Sequence, residues 1–285
     1  MQFHKTNTDF FVPDGLDEAA ALARTTHMCV CAHQDDIEIM AYHGVLQCFG
    51  QPDKWFTGVV ASDGAGSPRA GIYANYTDEQ MKKVRVVEQR KAAFVGDYGC
   101  QIQLGYPTAE VKNVRETALV EDLTRILRTA RPRYVYLHNL ADKHDTHVAV
   151  SLRAIAAMRA LAGEYKPEKV YGCEVWRALD WLQDEDKVAL PVSARSNIAA
   201  ALVGVFDSQV TGGKRYDLAT AGRRLANATY LASHGTDEET ALSLAMDLTP
   251  LVEDPNLPIA PYVLAYVDRL RADVEQRLMK VGAAA

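Results

Sequence analysis

Imidazole and carboxylate side chains cluster at two places in the chain. The first cluster, His33-Gln34-Asp35-Asp36, directly follows the apolar run 28–32. The second, Asp142 to His147, lies a few residues after the apolar run 134–137. Histidine and aspartate are common ligands of catalytic metal ions, and both serve as general bases and acids. If the fold brings the two clusters together, their side chains can form a catalytic metal site.

Short apolar runs alternate with segments of helical periodicity, which is typical of βαβ units around a parallel sheet. We therefore predict an α/β fold with a mostly parallel sheet flanked by helices. The predicted strands are 28–32, 56–61, 102–104, 134–137 and 170–175, and the predicted helices are 36–49, 77–98, 114–130 and 146–162. In a doubly wound sheet, the loops after two neighbouring strands meet at the topological switch point, which would place both clusters in one crevice.

From Leu190 onward the pattern changes to polar loops and helices, and it ends in a periodic helix predicted over 261–280. The division expected is an α/β domain over 1–205 and a helical C-terminal extension over 206–285. The last helix carries an apolar stripe that can pack on the sheet or on another subunit, so a homo-oligomer is one expected assembly. The stripe consists of Val263, Leu264, Val267, Leu270, Val274 and Leu278.

Composition and charge narrow the class of protein. The 285 residues are 48% hydrophobic and 24% charged, which suits one large α/β domain with an extension. A net charge of −6 argues against a nucleic-acid partner. No apolar stretch has the length of a membrane span and residues 1–5 lack a signal-like apolar core, so a cytoplasmic protein is expected. Five cysteines, mostly in apolar runs, indicate reduced core thiols.

The residue types suggest a division of roles. His33, Asp36 and His147 can supply the three protein ligands of a catalytic zinc ion and leave one position for water. Asp35 is adjacent to Asp36 at a strand-to-helix corner and points elsewhere, so it is free to act as the general base on that water. The alternative is that Asp35 or Asp36 merely caps the following helix.

His144 lies three residues before His147, on the same face if the segment is helical. As an imidazolium it could donate to the oxyanion that forms when water attacks a carbonyl. Asp142 or Asp145 could then fix its tautomer. His138, just after the strand at 134–137, could line the same pocket or donate to a ligand.

The loop 62–68, Ser-Asp-Gly-Ala-Gly-Ser-Pro, follows the second predicted strand and is too polar to be packed. It can line the same crevice, and Ser62 and Asp63 are its candidate substrate contacts. Gly64-x-Gly66 lacks the third glycine of a dinucleotide-binding fingerprint and is followed by Pro68 instead of a helix start. A nucleotide-binding protein therefore remains only as an alternative.

Three segments resemble motifs of the LmbE-like family, also called the PIG-L or GlcNAc-phosphatidylinositol de-N-acetylase family. His33 to Ile39 is similar to the family's His-Pro-Asp-Asp-x-Glu motif, and Asp142 to His147 resembles its Asp-x-His-Pro-Asp-His segment. Arg85 to Ala92, with Gly96, resembles the family's Arg-x-x-Glu-x-x-x-Ala helix. The resemblance covers about residues 26–175, with a weaker echo at 207–209.

This resemblance implies a zinc-dependent N-deacetylase of amino sugars or their conjugates on a Rossmann-like sheet. Because two imidazoles and one carboxylate accept several divalent ions, Fe²⁺ or another divalent ion could take the place of Zn²⁺. The resemblance implies the same metal ligands, general base and oxyanion donor as above. It also implies that Arg85 contacts the small-molecule substrate. Without the resemblance, the spacing of Arg85 and Glu88 indicates a surface ion pair. Trp176 could form a sugar-stacking wall or simply pack in the core.

Two departures from the family pattern bear on activity. Gln34 stands where the family has proline, so other contacts must hold the bend between ligand and base. Asp145-Thr146 stands where the family has Pro-Asp, so the group that orients each imidazole can differ. A catalytically inactive sugar-binding member of the family is accordingly a second alternative.

Overall fold

The computed structural model describes residues 1–282. Within these residues an eight-stranded mixed sheet is flanked by twelve α-helices. The strands are β1 (Asp9–Phe11), β2 (His27–Cys31), β3 (Phe56–Ser62), β4 (Cys100–Tyr106), β5 (Tyr134–His138), β6 (Lys169–Cys173), β7 (Lys187–Pro191) and β8 (Leu242–Asp247). Their spatial order is β1-β4-β3-β2-β5-β6-β8-β7. The predicted α/β class is confirmed.

The central strands are parallel, and the edges are antiparallel. β4, β3, β2, β5 and β6 form the parallel part, in which every residue of β2 and β3 is buried. Strands that are buried on both faces need continuous apolar runs, which is why these were visible in the sequence. The strand order reverses between β2 and β5, so the switch point lies between the two strands that precede the polar clusters.

The helices cover both faces of the sheet. They are α1 (Glu18–Ala23), α2 (Asp36–Met40), α3 (Tyr42–Cys48), α4 (Asp78–Val95), α5 (Thr108–Lys112), α6 (Ala118–Ala130), α7 (Asp145–Ala160), α8 (Ser196–Gly204), α9 (Asp207–Val210), α10 (Tyr216–Tyr230), α11 (Pro250–Glu253) and α12 (Ile259–Lys280). The single helix predicted over 36–49 is divided at Ala41, whose backbone leaves the helical region. The short α2 thus begins at Asp36 and is separate from α3.

Three strands were not predicted, and all are antiparallel additions to the parallel core. β8 is the clearest case, because Leu, Ala and Met are good helix formers. It pairs with β6 on one side and β7 on the other, so burial on both faces decides its conformation. The segment 206–282 is therefore not purely helical, and the division of the chain after residue 205 stays a prediction.

The stripe of α12 is mostly exposed. Val263 is buried, whereas Leu264, Val274 and Leu278 are about half exposed. The expectation that this stripe packs on the sheet is therefore met only near the start of the helix, and a homo-oligomer stays a prediction. Among the described helices, none has both the length and the apolar character needed to cross a membrane.

Candidate active site

The two polar clusters meet above the switch point. His33 to Asp36 form the corner between β2 and α2, while Asp142 to His147 form the loop after β5 and the first turn of α7. Three donor atoms converge there. His33 Nδ1 lies 3.2 Å from Asp36 Oδ2 and 3.2 Å from His147 Nε2, and the latter two atoms are 3.5 Å apart. The predicted convergence of the clusters is thus present in the fold.

This triangle has the dimensions of one face of a metal coordination shell. A tetrahedral zinc ion with bonds of about 2.0–2.1 Å holds its ligand atoms roughly 3.3–3.4 Å apart. Burial opposes ionisation of Asp36, but the imidazoles of His147 and His138 hold the pKa of its carboxyl well below the usual range. Burial and the neighbouring His138 lower the pKa of His147. An ionised carboxylate beside imidazole nitrogens fits a divalent cation.

His138 offers an alternative ligand set with Asp36 and His147, because its Nε2 lies 3.3 Å from Asp36 Oδ2. However, the same Nε2 accepts the backbone N–H of Ala32 at 2.9 Å, which occupies its lone pair. The ring is fully buried and stacks on His147 at 3.8 Å without lining the cavity. We therefore favour His33 as the third ligand and assign His138 to packing against His147.

Asp142 orients His147 and not His144, contrary to the expectation from the sequence. Its Oδ2 accepts from His147 Nδ1 at 3.0 Å, and its Oδ1 accepts the backbone N–H of His144 at 2.9 Å. The bond to Nδ1 leaves Nε2 of His147 unprotonated and directed at the triangle, which is the arrangement that carboxylate-supported metal ligands have. The sequence could not distinguish these pairings, because both histidines lie within five residues of the carboxylate.

Replacing Asp142 should weaken metal binding without removing a ligand. We expect Asp142→Asn to reduce the affinity for Zn²⁺ by roughly 10- to 100-fold, because such supporting carboxylates fix the ligand tautomer. Competition with a chromogenic chelator measures the change. Asp145→Asn is the matched control, since Asp145 is exposed and three residues away, and it should leave the affinity unchanged. Equal losses in both variants would contradict the assignment.

His144 lies at the mouth of the site. Its ring stacks on His147 with centroids 4.6 Å apart, and its Nδ1 has no hydrogen-bond partner. Burial and the imidazole of His147 lower the pKa of His144. The neutral ring is therefore favoured over the imidazolium expected from the sequence. A neutral imidazole can still donate one N–H to a developing oxyanion.

Asp35 occupies a strained position beside the triangle. It precedes α2 with a left-handed backbone (φ 86°), which is costly for a residue with a side chain and is often found at functional sites. Its carboxylate lines the cavity 3.4 Å from Nη2 of Arg85. Burial raises the pKa of Asp35 to about 7, against the opposing effect of Arg85. A carboxyl group with a pKa near neutrality suits general base and acid catalysis.

Gln34 holds the bend where the resemblance leads one to expect proline. It is buried, and its side-chain amide donates to Gln103 Oε1 at 3.1 Å and to the Ser62 carbonyl at 3.4 Å. Its own carbonyl accepts a short hydrogen bond from Arg85 Nη2. These contacts anchor the residue before Asp35 to the neighbouring strands, and they replace the backbone restriction that proline would impose.

Arg85 and Glu88 form a buried network, so the surface ion-pair alternative is wrong. Arg85 is 1% exposed, and its Nη1 donates to Glu88 Oε2 at 3.2 Å. Glu88 in turn accepts the backbone N–H and the hydroxyl of Ser208, both at 2.7 Å. The network ties α4 to α9 and fixes the guanidinium beside Asp35. The segment 207–209, which weakly resembles a family motif, thus contacts the site through Ser208.

The cavity above the triangle encloses about 410 Å³. Ser62 and Trp176 line it, together with Arg85 and the loop residues Gly64, Gly66, Ser67 and Pro68. The Ser62 hydroxyl is buried without a partner. Asp63 is not among the lining residues, because its carboxylate pairs with Lys82 at 3.2 Å and accepts the Ala65 N–H. The structure therefore places Asp63 beneath the loop and not in the cavity.

A second cavity of about 210 Å³ lies beside the first, and we call it the adjoining cavity. Trp176 and Tyr216 line both cavities. Glu174, the residue after β6, lines the adjoining cavity with only 7% of its surface exposed, and neither carboxylate oxygen has a hydrogen-bond partner. Sequence reasoning missed Glu174, although its position at the carboxyl end of a strand was an available signal.

The protonation of Glu174 is shifted by its surroundings. Burial, with a smaller contribution from the Asp142 carboxylate, raises the pKa of Glu174 to about 7. The indole N–H of Trp181, the backbone N–H of Arg177 and the guanidinium of Arg223 oppose this rise. The first two are weak donors to the carboxylate, because neither has the geometry of a full hydrogen bond.

We expect Glu174 to make the protein less stable as the pH rises. The folded state binds this proton more tightly than the unfolded state, so the stabilisation is complete below about pH 4.5 and is lost as the pH rises through about 7. The change that Glu174→Gln causes in the free energy of unfolding should therefore be more favourable at pH 8 than at pH 5, by about 2–3 kcal/mol. Urea unfolding at both pH values measures this difference, with exposed Glu185→Gln as control. An equal effect of Glu174→Gln at both pH values would contradict it.

Taken together, the fold and the site define an α/β protein with three converging histidine and aspartate donor atoms at the switch point of a mostly parallel sheet. The comparison with protein families agrees with an α/β protein of this kind. Residues 28–158 match the model of the PIG-L family, described as GlcNAc-PI de-N-acetylase, and so form a PIG-L, or LmbE-like, domain. The family resemblance noted in the sequence is confirmed. No curated protein sequence matches the chain.

Solved structures share the fold at low sequence identity. N,N′-diacetylchitobiose deacetylase from Pyrococcus horikoshii is 13% identical, with a TM-score of 0.61 over 81% of this chain and 86% of the other. 4-Carboxy-2-hydroxymuconate hydratase from Pseudomonas putida is 17% identical, with a TM-score of 0.60 over 79% and 95%. A zinc-inhibited form of teicoplanin deacetylase is 13% identical, with a TM-score of 0.56 over 78% and 97%. Proteins with this fold thus catalyse more than one type of reaction.

Proposed function

We propose that the protein is a metal-dependent hydrolase that removes the N-acetyl group from an N-acetylated amino sugar or its conjugate. The observation that carries the proposal is the triangle of His33, Asp36 and His147 donor atoms with Asp35 beside it on the same cavity wall. The PIG-L domain and the deacetylases among the structural neighbours support this chemistry over the hydratase chemistry of another neighbour.

His33, Asp36 and His147 would hold the metal ion. When bound, a divalent ion of this kind polarises the amide carbonyl and makes water a better nucleophile at neutral pH. Two imidazoles and one carboxylate accept several divalent ions, so zinc, iron or another ion can serve. The neighbouring teicoplanin deacetylase was solved in a zinc-inhibited form, and for that reason the amount of zinc has to be controlled in any assay.

The remaining residues transfer the proton of water, stabilise the oxyanion and position the general base. Asp35 removes the proton from the attacking water and returns it to the departing amine, as a group with a pKa near 7 can do in both directions. His144 donates its N–H to the oxyanion of the tetrahedral intermediate. Arg85, whose guanidinium is held by Glu88, positions Asp35 and offers an edge of the cavity to sugar hydroxyls.

A metal-defined activity screen tests the proposal. Protein freed of metal and reloaded anaerobically with Zn²⁺, Fe²⁺, Co²⁺ or Mn²⁺ is offered N-acetylated amino sugars, their disaccharides and thiol conjugates, and free amine is measured. We expect amine release from at least one sugar class that depends on the metal. Release of amine that is unaffected by metal removal, or hydration of an unsaturated acid without any amine release, would contradict the proposal.

A further inference from the structure

One peptide bond beside the site is held at both of its polar ends by a single helix. The carbonyl of Gln34 accepts the short hydrogen bond from Arg85 Nη2, and the N–H of Asp35 donates to Gln89 Oε1 at 3.3 Å. The two groups belong to the same peptide bond. Arg85 and Gln89 lie four residues apart in α4, and residues at that spacing share one face of a helix. We call this pair of contacts from α4 the peptide clamp.

The clamped peptide determines the backbone conformation of Asp35. Its orientation sets the φ of Asp35, which is 86°. This left-handed conformation is unfavourable for a residue with a side chain, and it persists only where the surrounding structure holds it. The side chain of Asp35 makes no capping hydrogen bond to α2 that would compensate locally. The contacts from α4 therefore oppose relaxation of Asp35 to an ordinary conformation.

Gln89 is itself fixed, so its amide presents the oxygen to Asp35. Its Nε2 donates to Glu38 Oε1 at 2.9 Å, and the hydroxyl of Tyr98 donates to the same oxygen at 2.8 Å. This oxygen accepts both hydrogen bonds, so it selects the NH₂ end of the amide. Gln89 and Glu38 are fully buried, and neither lines the cavity above the triangle. Gln89 can therefore affect a bound substrate only through Asp35.

We propose that Gln89 is a positioning residue for the general base. Together with Arg85 it holds the Gln34–Asp35 peptide in the orientation that keeps Asp35 left-handed and directs its carboxylate into the cavity. This inference rests on the proposed function, because Asp35 has the role of general base only there. With Gln34 in place of proline, no ring restricts the bend, so these side-chain contacts supply more of the constraint.

Turnover and metal content of two Gln89 variants test the inference. Gln89→Met removes the acceptor for the Asp35 N–H, and Gln89→Asn keeps an amide that is too short to span Asp35 and Glu38. We expect each to lower kcat by roughly 10- to 100-fold, because a displacement of about 1 Å in the site has an effect of this size. KM and metal content should stay close to those of the wild type. Gln47→Met, which alters a half-buried residue of α3, should change none of these quantities.

A double-mutant cycle with Asp35→Asn separates positioning from general destabilisation. If Gln89 acts through Asp35, Gln89→Met should lower kcat by less than about twofold in the Asp35→Asn background, since coupled residues are not additive. Equal losses in both backgrounds would show that Gln89 only supports the fold, and they would overturn the inference. A kcat at the wild-type level in both Gln89 variants would overturn it as well.

A crystal structure of metal-loaded Gln89→Met, or of Gln89→Asn where the first variant does not fold, tests the geometry without turnover. We expect the φ of Asp35 to leave the left-handed region and its carboxylate to move from Arg85 Nη2, which is 3.4 Å away in the wild type. An unmoved Asp35 overturns the inference, even if the wild type releases amine. If Asp35 moves while the wild type releases no amine, the proposed function fails and the peptide clamp stands.

Discussion

Asp35→Asn should lower the rate of amine release by roughly 10²- to 10⁴-fold while the protein keeps its metal, because general base catalysis contributes at this level. The amide is nearly isosteric and preserves the contact with Arg85. It cannot accept the proton of the attacking water. The effect should appear in kcat, since the residue acts in the chemical step and not in holding the sugar ring.

Metal content and folding are the controls for this variant. Elemental analysis should find the same metal content in Asp35→Asn as in the wild type, because the carboxylate lies outside the triangle of donor atoms. Asp53→Asn alters an exposed carboxyl near the start of β3, and it should leave turnover unchanged. Turnover of Asp35→Asn close to that of the wild type would show that another group takes the proton.

His33→Ala should abolish both metal binding and turnover. Removing one of three protein ligands leaves His147 and Asp36, and we expect the bound metal to fall from about one ion per chain to less than about a tenth after dialysis. His33 is the best ligand to replace, because its side chain is 27% exposed and its loss leaves no large buried hole. Elemental analysis and the amine assay measure the two effects on the same sample.

Exposed His234 provides the matched control, and His234→Ala should retain both metal and activity. The two variants in the site should therefore differ. Asp35→Asn keeps metal and loses turnover, whereas His33→Ala loses both. A His33→Ala protein that retains a full equivalent of metal would favour the alternative set in which His138 joins Asp36 and His147.

The convergence of the two clusters was predictable from the sequence, because it follows from the position of each cluster after a strand and from the arrangement of parallel strands. His33 to Asp36 and Asp142 to His147 each follow an apolar run, and parallel strands end at a common edge of the sheet. Continuous apolar sequence marked β2 and β5 reliably, since both are buried on both faces. The roles assigned to individual site residues remain predictions for the variants above.

What the sequence could not show depends on long-range packing. The partner of Asp142 is decided by where the chain places two rings that are three residues apart. Glu88 has a buried hydrogen-bond partner because α9 supplies Ser208 more than a hundred residues later. Glu174 gains significance only from the cavity beside it. None of these contacts follows from the periodicity of the sequence.

The central claim is that one divalent ion at the triangle of His33, Asp36 and His147 supports hydrolysis of an N-acetyl group. The direct test is to titrate metal-free protein with the most active ion of the screen and to follow bound metal and released amine together. We predict that turnover rises in proportion to bound metal and reaches a plateau at about one ion per chain. Full turnover in the metal-free protein, or no retained ion after repletion, would contradict it.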